Sequence, residues 1–537
     1  MIRFTNYMDS AMKKSQQLNN KNPIVTEEIK NISALIGWGK YEEALRKFDD
    51  CEKQNSNDIS LQSSKLGLLV DIGHGLKDQS LVQRGLSAGE QNLHDRRYEK
   101  HRNDILYNLA NGYSVLYELS ERDDGLEAIP QSENLQKAKK YFREVLSTLD
   151  NIRPALKKQL LVNYGNCLDA LGRCVEALYA YADALKIDKN FSMAIGNKAK
   201  ALRFFADISG QYRVAIYIEA YQAIQSIINN QDLIEIGGID SKEKFESELK
   251  CIEKQFKDKK DLTKELSHSK YETGKLSDFE KFYLDFCTKE RLFLNFHVHD
   301  EYCEAAIADP IFISLITKVG DNKTFYNFAK YINQIKEDYA VARLLLIQSQ
   351  YKQKDFDNIS RRTDFVNTLD YSQFNLYTGL LKSAFSEAYS ILDKIAVFIN
   401  DYYKLGLPED RIYFTSVWQK NGKIRNEILN SKNISLYALY DIYQDFKSNH
   451  YGKIKQIRDA ITHRLLVIFD SMLTNWDKKD DKHNIGYNTM LDKTVELLRL
   501  TKSAIIYLIN FVNMEENRKR TPGAIIPIVP VDTSQFL

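Results

Sequence analysis

Apolar residues recur at helical spacing through Phe279–Leu294, Phe325–Tyr351, Phe374–Tyr403, Leu436–Phe446, Ile454–Met472 and Met490–Asn513, so the C-terminal half is expected to be helical. In the N-terminal half the pattern also repeats. Residues 159–190, QLLVNYGNCLDALGRCVEALYAYADALKIDKN, read as a helical hairpin. Tyr164-Gly165 and Leu168 lie on its first helix, Gly172 at the turn, and Ala177, Tyr181 and Ala184 form a small–aromatic–small series on the second. Two antiparallel helices approach closely only where a small residue faces a bulky one. Weaker copies lie upstream: Tyr107, Leu109, Ala110 and Tyr113 answer Ala138, Phe142 and Val145 across the long connection Ser120–Asn134, and Gly39-Lys40-Tyr41 precedes Ala44, Phe48 and Cys51. Phe191–Leu202 begins a further helix.

Turn-forming residues are scarce. Pro occurs 8 times and Gly 23 times in 537 residues, with no Pro between Pro154 and Pro310 or between Pro408 and Pro522. The expected fold class is therefore all-α, and a large β-sandwich is excluded. The length is too great for one compact core. We read residues 1–231 as a repeat domain resembling tetratricopeptide repeats, although Lys189 stands where Pro usually closes the repeat. Residues 232–278 are dense in alternating charge and read as a solvated helix, Lys242–Phe256, followed by a linker. A second helical domain covers 279–520, and 521–537, with three prolines, reads as an extended tail.

Lys plus Arg number 75 and Asp plus Glu 73, a net charge of +2 that argues against a polybasic coat but leaves room for a local basic groove. The six cysteines include no CxxC pair, so neither a zinc knuckle nor a disulfide scaffold is indicated, and a reducing cytoplasm fits. The first residues, MIRFTNYMDSAMKKSQ, lack an apolar signal core. The most apolar stretch, Ala504–Val512, is short and holds Asn510, so no membrane span is expected.

The candidate chemistry sits in Tyr451–Met472, YGKIKQIRDAITHRLLVIFDSM. On one continuous helix Ile454, Ile457, Ile461, Leu465, Ile468 and Met472 would form a core stripe, with Asp459, His463, Leu466 and Asp470 opposite. Asp459 and His463, four residues apart, would let the carboxylate hold one imidazole nitrogen. Arg458 and Arg464 would flank the stripe, and a charged Arg beside a buried stripe must find an anion or carboxylate. Arg458-Asp459-Ala460-Ile461-Thr462-His463 resembles the R-polar-x-x-x-H signature of the HEPN superfamily of small helical-bundle domains, with Asp in the slot where Asn is commonest. Glu290-Arg291-Leu292-Phe293-Leu294-Asn295 is similar to an ERLFLN-like stretch of the HEPN branch that carries N-terminal helical repeats.

That resemblance implies a metal-independent endoribonuclease that uses no cofactor and works as a homodimer through the HEPN domain. Arg458 would hold phosphate oxygens, His463 would act as general acid or base, and Asp459 would orient it. Lys453, Lys455 and Arg464 would contact RNA, and so would Lys447, unless they form only a solvated face. Leu466 and Val467 would face a second subunit or pack within the same bundle. A peptide or protein would occupy the repeat groove, and the pairing of domains resembles toxins and antiviral effectors that cut RNA. Two other classes remain open: a non-catalytic adaptor, and a HEPN protein that binds nucleotide or is nucleotidylated. His297-Val298-His299-Asp300 and Cys303 form a weaker metal candidate. Ile72-Gly73-His74-Gly75 reads as a helix-breaking turn, Cys167 and Cys174 as packing residues, and Lys482-His483-Asn484 as a neighbour of the motif in sequence alone.

Overall fold

A computed structural model describes residues 22–120, 125–148, 154–209, 213–264, 275–295, 306–313, 322–470 and 483–519. The fold is all-α, as the scarcity of Pro and Gly predicts, and among the described residues strands are only two or three residues long. The tail 521–537 and the segment His297–Cys303 lie outside the described residues. Two compact units divide the chain, residues 1–266 and 267–537.

The first unit is a succession of helical hairpins: α1 (Pro23–Gly37) with α2 (Tyr41–Gln54), α3 (Ile59–Leu76) with α4 (Gln79–Leu93), α5 (Arg102–Ser120) with α6 (Glu133–Leu146), α7 (Pro154–Ala170) with α8 (Cys174–Ile187), and α9 (Ser192–Ser209) with α10 (Arg213–Ile227). Each pair packs on the next. The size-complementary contact expected between α7 and α8 is present, since a Cβ on Gly165 would stand 2.5 Å from the ring of Tyr181. Gly172 turns the chain between them with φ of 80°. Cys167 and Cys174 are buried packing residues.

Two readings of this half are corrected. Ile72-Gly73-His74-Gly75 does not break a helix but lies in the last turns of α3. Gly75 is there for closeness, because a Cβ would meet the Tyr41 ring at 2.4 Å. The charged segment after residue 231 is structured too. Helices α11 (Gln231–Gly237) and α12 (Ile239–Glu253) pack on α9, and α12 also on α10. Phe245, Leu249, Ile252 and then Leu262 are buried. One apolar residue per turn suffices for such a stripe, so dense charge on the other positions conceals it.

In the second unit α13 (Asp278–Lys289) leads to a bundle of α14 (Asn322–Gln350), α15 (Leu376–Tyr403), α16 (Ile434–Lys447) and α18 (Tyr487–Arg518), with α17 (Gly452–His463) packed on α15 and α18. Ser277 and Asn375 close reciprocal capping boxes at the starts of α13 and α15. Helix α18 is buried without a break from Leu500 to Val512, which explains the apolar run Ala504–Val512: it is the centre of a bundle. Among the described residues no helix is long and apolar enough to cross a membrane. A small sheet completes the unit, with β1 (Ser372–Gln373) antiparallel and β3 (Asn484–Gly486) parallel to the central β2 (Val467–Phe469).

The stretch Glu290–Asn295 does not extend α13 as its apolar spacing suggests. Arg291 takes φ of 57°, the Arg291 amide bonds Thr288 O and the Leu292 amide bonds Cys287 O, a left-handed helix stop that usually takes glycine. Beyond it the irregular segment of residues 292–295 is riveted to the bundle. Tyr339 Oη and Arg343 Nη1 donate to Leu292 O at 2.8 and 3.0 Å, and Lys502 Nζ donates to Arg291 O at 3.0 Å. Arg343 also pairs with Asp309 at 2.6 and 3.0 Å, and Arg499 with Glu290. Burial alone would raise the Asp309 carboxyl, but Arg343 outweighs it and holds the group below the ordinary carboxylate value. Burial pushes the Lys502 amine down to about 7; Asp309 opposes this, while Arg291, Arg343 and Arg499 add to it.

Two outcomes follow for stability. Gly165→Ala is expected to lower the unfolding free energy of the N-terminal unit by about 1–2 kcal/mol in urea titration, the overpacking against Tyr181 exceeding the helix propensity gained. For Lys502, the unfolded chain keeps a proton up to about 10.5 and the folded chain only up to about 7. Between those values unfolding takes up a proton, so stability rises with pH and the gain is lost as pH falls through 7. Denaturation at pH 7 and pH 9 should differ by roughly 2 kcal/mol more in the wild type than in Lys502→Met. Equal differences would exclude this role for Lys502.

Candidate active site

Helix α17 carries the Arg–His motif, and the local sequence sets its orientation. Gly452, Ile454, Ile457 and Ala460 are buried against the bundle, while Lys453, Lys455 and Gln456 are exposed. The helix does not run to Met472 as the hydrophobic spacing suggests. It stops at His463, where Arg464 turns to an extended conformation (φ −146°, ψ −157°) while its amide still bonds Ala460 O at 3.1 Å. Leu465 is consequently 63% exposed rather than part of the core stripe, and Leu466, Val467, Ile468 and Phe469 are all buried. The physical reason is that Val467–Phe469 is the middle strand of the sheet, covered on both faces, and β-branched and aromatic residues suit that environment better than a further helical turn. Met472 lies outside the described residues. Of the two readings for Leu466 and Val467, the structure has them packed within the chain.

Arg458 projects toward α15. Its guanidinium carbon lies 4.9 Å from the centre of the Tyr389 ring, and Nη1 stands 3.3 Å from Asp459 Oδ1. Its side chain is 29% exposed, and Nε is buried and takes no hydrogen bond among the described residues. Burial opposes the charge on Arg458, but Tyr389, Asp459 and Asp393 together raise its pKa above the ordinary arginine value. Asp393, one turn after Tyr389 on α15, accepts the Phe414 amide on Oδ1 at 2.8 Å. Burial raises the Asp393 carboxyl, with the Phe414 amide and Arg458 opposing. Burial likewise raises the Tyr389 phenol, against Arg458.

The three motif residues are on one helix but not in one cluster. Asp459 turns to Arg458, and among the described residues no hydrogen bond joins it to His463. His463 is exposed at the helix end, beside the exposed Arg464. Lys453 and Lys455 are exposed two turns earlier, and Lys447 lies 3.5 Å from Gln419 Oε1. Sequence reasoning missed Tyr389 and Asp393, which a helical wheel of α15 places on one face but cannot assign to Arg458. It noted His483 only as a neighbour in sequence; parallel pairing of β3 with β2 brings that imidazole to Leu465, with Nδ1 3.2 Å from the carbonyl oxygen. No group of three or more His, Cys, Asp or Glu able to hold a metal ion occurs among the described residues.

Residues 319–515 match the family model described as LA2681-like HEPN, a span that includes α15, α17 and most of α18 but not the Glu290–Asn295 stretch. A search of curated proteins finds no match to the chain. The C-terminal helical domain, with its Arg–His motif on α17, belongs to the HEPN superfamily through its similarity to the LA2681-like family.

Proposed function

We propose that this chain is a metal-independent endoribonuclease whose HEPN domain cleaves RNA by attack of a 2′-hydroxyl on the adjacent phosphate. The observation that carries the reading is the placement of a half-buried guanidinium, Arg458, and an exposed imidazole, His463, on the same twelve-residue helix. An imidazole titrates near neutrality and serves as general base toward the 2′-hydroxyl or acid toward the leaving 5′-oxygen. Arg458 holds the phosphate oxygens and offsets charge as the pentacovalent state forms. The products are a 2′,3′-cyclic phosphate and a 5′-hydroxyl. Lys453, Lys455 and Arg464 supply exposed positive charge along and just beyond the same helix for the RNA backbone.

In this reading two copies pair through the HEPN domain, and the first unit is a tetratricopeptide-like array whose groove takes a protein or peptide trigger. The setting is cytoplasmic, as a toxin or antiviral effector. Asp459 covers Arg458 in the resting chain, and a substrate phosphate displaces it. A second reading has its own support. Asp459 is engaged by Arg458 rather than His463, and Leu466 and Val467 are enclosed within the chain, which suits an adaptor that binds partners without cutting RNA.

Purified protein incubated with total RNA and with tRNA in excess EDTA distinguishes the two. Discrete fragments ending in cyclic phosphate are expected, with the rate lowered about 10²- to 10⁴-fold in His463→Ala and about 10²-fold or more in Arg458→Lys. Cleavage at the same rate by wild type and His463→Ala would remove the catalytic assignment.

A further inference from the structure

Arg458 is held chiefly by an aromatic ring. Its Nε is sealed from water with no hydrogen bond among the described residues, so directional bonds do not fix the inner part of the guanidinium. What it meets instead is the face of a buried ring. Tyr389 is 5% exposed, with the Arg458 carbon 4.9 Å from its centroid. The ring is itself clamped: Phe446 meets it edge-on at 6.2 Å, and Phe446 packs on Tyr451, the residue that starts α17, at 5.0 Å. One aromatic chain thus ties the origin of the motif helix to the platform under its arginine. Asp393, a turn further along α15, adds a carboxylate whose position is set by the Phe414 amide.

We propose that Tyr389 is a positioning residue that holds the Arg458 guanidinium from behind, leaving its outer edge, where Asp459 now stands, to receive a phosphate. A long arginine side chain otherwise loses considerable rotamer freedom when it binds, and a guanidinium already stacked on an aromatic face is ordered in advance. What Arg458 does once held rests on the ribonuclease reading; how it is held does not.

The test uses the full chain with Tyr389→Leu, Tyr389→Phe and Tyr389→Met. Labelling by p-hydroxyphenylglyoxal, an arginine-specific reagent, is followed at each site by mass spectrometry. Tyr389→Leu should label faster at Arg458 by about threefold or more, with Arg343 and Arg464 unchanged, while Tyr389→Phe, which keeps the ring, should behave as wild type. In RNA cleavage the leucine variant should raise KM about tenfold with kcat changed little, again restored by phenylalanine. Unchanged labelling of Arg458 in the leucine variant overturns the proposal whether or not RNA is cut. Faster labelling in a protein that cuts no RNA upholds the positioning independently of the ribonuclease reading. Should the leucine variant unfold, seen as faster labelling of Arg343 as well, Tyr389→Met, which keeps most of the volume but not the ring, decides: selective acceleration at Arg458 supports the proposal and none overturns it.

Discussion

The ion pair of Arg343 with Asp309, shut inside the second unit, is the contact on which the geometry of that unit turns. A charge taken out of water survives only with close partners, and Arg343 collects Asp309, the Leu292 carbonyl and the rings of Tyr283, Phe293 and Tyr339 around itself. Satisfying that one guanidinium fixes the path of residues 290–295 and 306–313 against α14. Lys502 does the same from α18 by holding the Arg291 carbonyl. Two long helices, α14 and α18, are thereby registered to one irregular segment, and the bundle that carries α17 inherits that registration.

The same rule operates at the candidate site with a different outcome. Arg458 is only half shielded, and its compensation is asymmetric: the face of a buried aromatic ring on one side and the partly exposed carboxylate of Asp459 on the other. Arg343 spends both terminal nitrogens on Asp309 and the Leu292 carbonyl. The front of Arg458 is closed by an ion pair at the surface, a kind of contact worth little against a competing anion. In the ribonuclease reading proposed above, the difference between an arginine that builds a fold and one that meets a ligand is a difference in which of its edges the protein already occupies.

Helix content and most helix limits were legible because 3.6-residue periodicity survives wherever one face is buried: Phe374–Tyr403 and Met490–Asn513 are expected segments that α15 and α18 contain almost whole. The errors have physical causes. Leu465 and Ile468 keep helical spacing from Ile461, yet the chain leaves the helix at Arg464 because a central strand also buries consecutive apolar residues, and period alone cannot separate the two. Arg291 stops α13 in a left-handed conformation that its side chain does not announce; the carbonyls that make the stop worthwhile are satisfied by Lys502, Tyr339 and Arg343, between 48 and 211 residues away in the chain at these positions, counted from Arg291 to Tyr339 and to Lys502. Long-range polar contacts of this kind leave no local pattern.

For the candidate site, the motif pointed to the helix and to the two residues the proposed reading uses, but not to their mutual arrangement. Arg458 and His463 differ by five positions, about 140° around a helix, so they cannot share a partner on their own face. Arg458 therefore leans into the bundle and His463 stays at the helix end in solvent. A phosphate that engages both must approach across that angle, over Asp459, which lies between them around the helix at about 100° from Arg458. Asp459 is thus placed to act first on the arginine and, once displaced by an anion, to be within one turn of the imidazole. An Asn in that slot would offer the imidazole a hydrogen bond but would put no charge on the arginine, so in the proposed reading the carboxylate found here would couple the occupancy of Arg458 to the environment of His463.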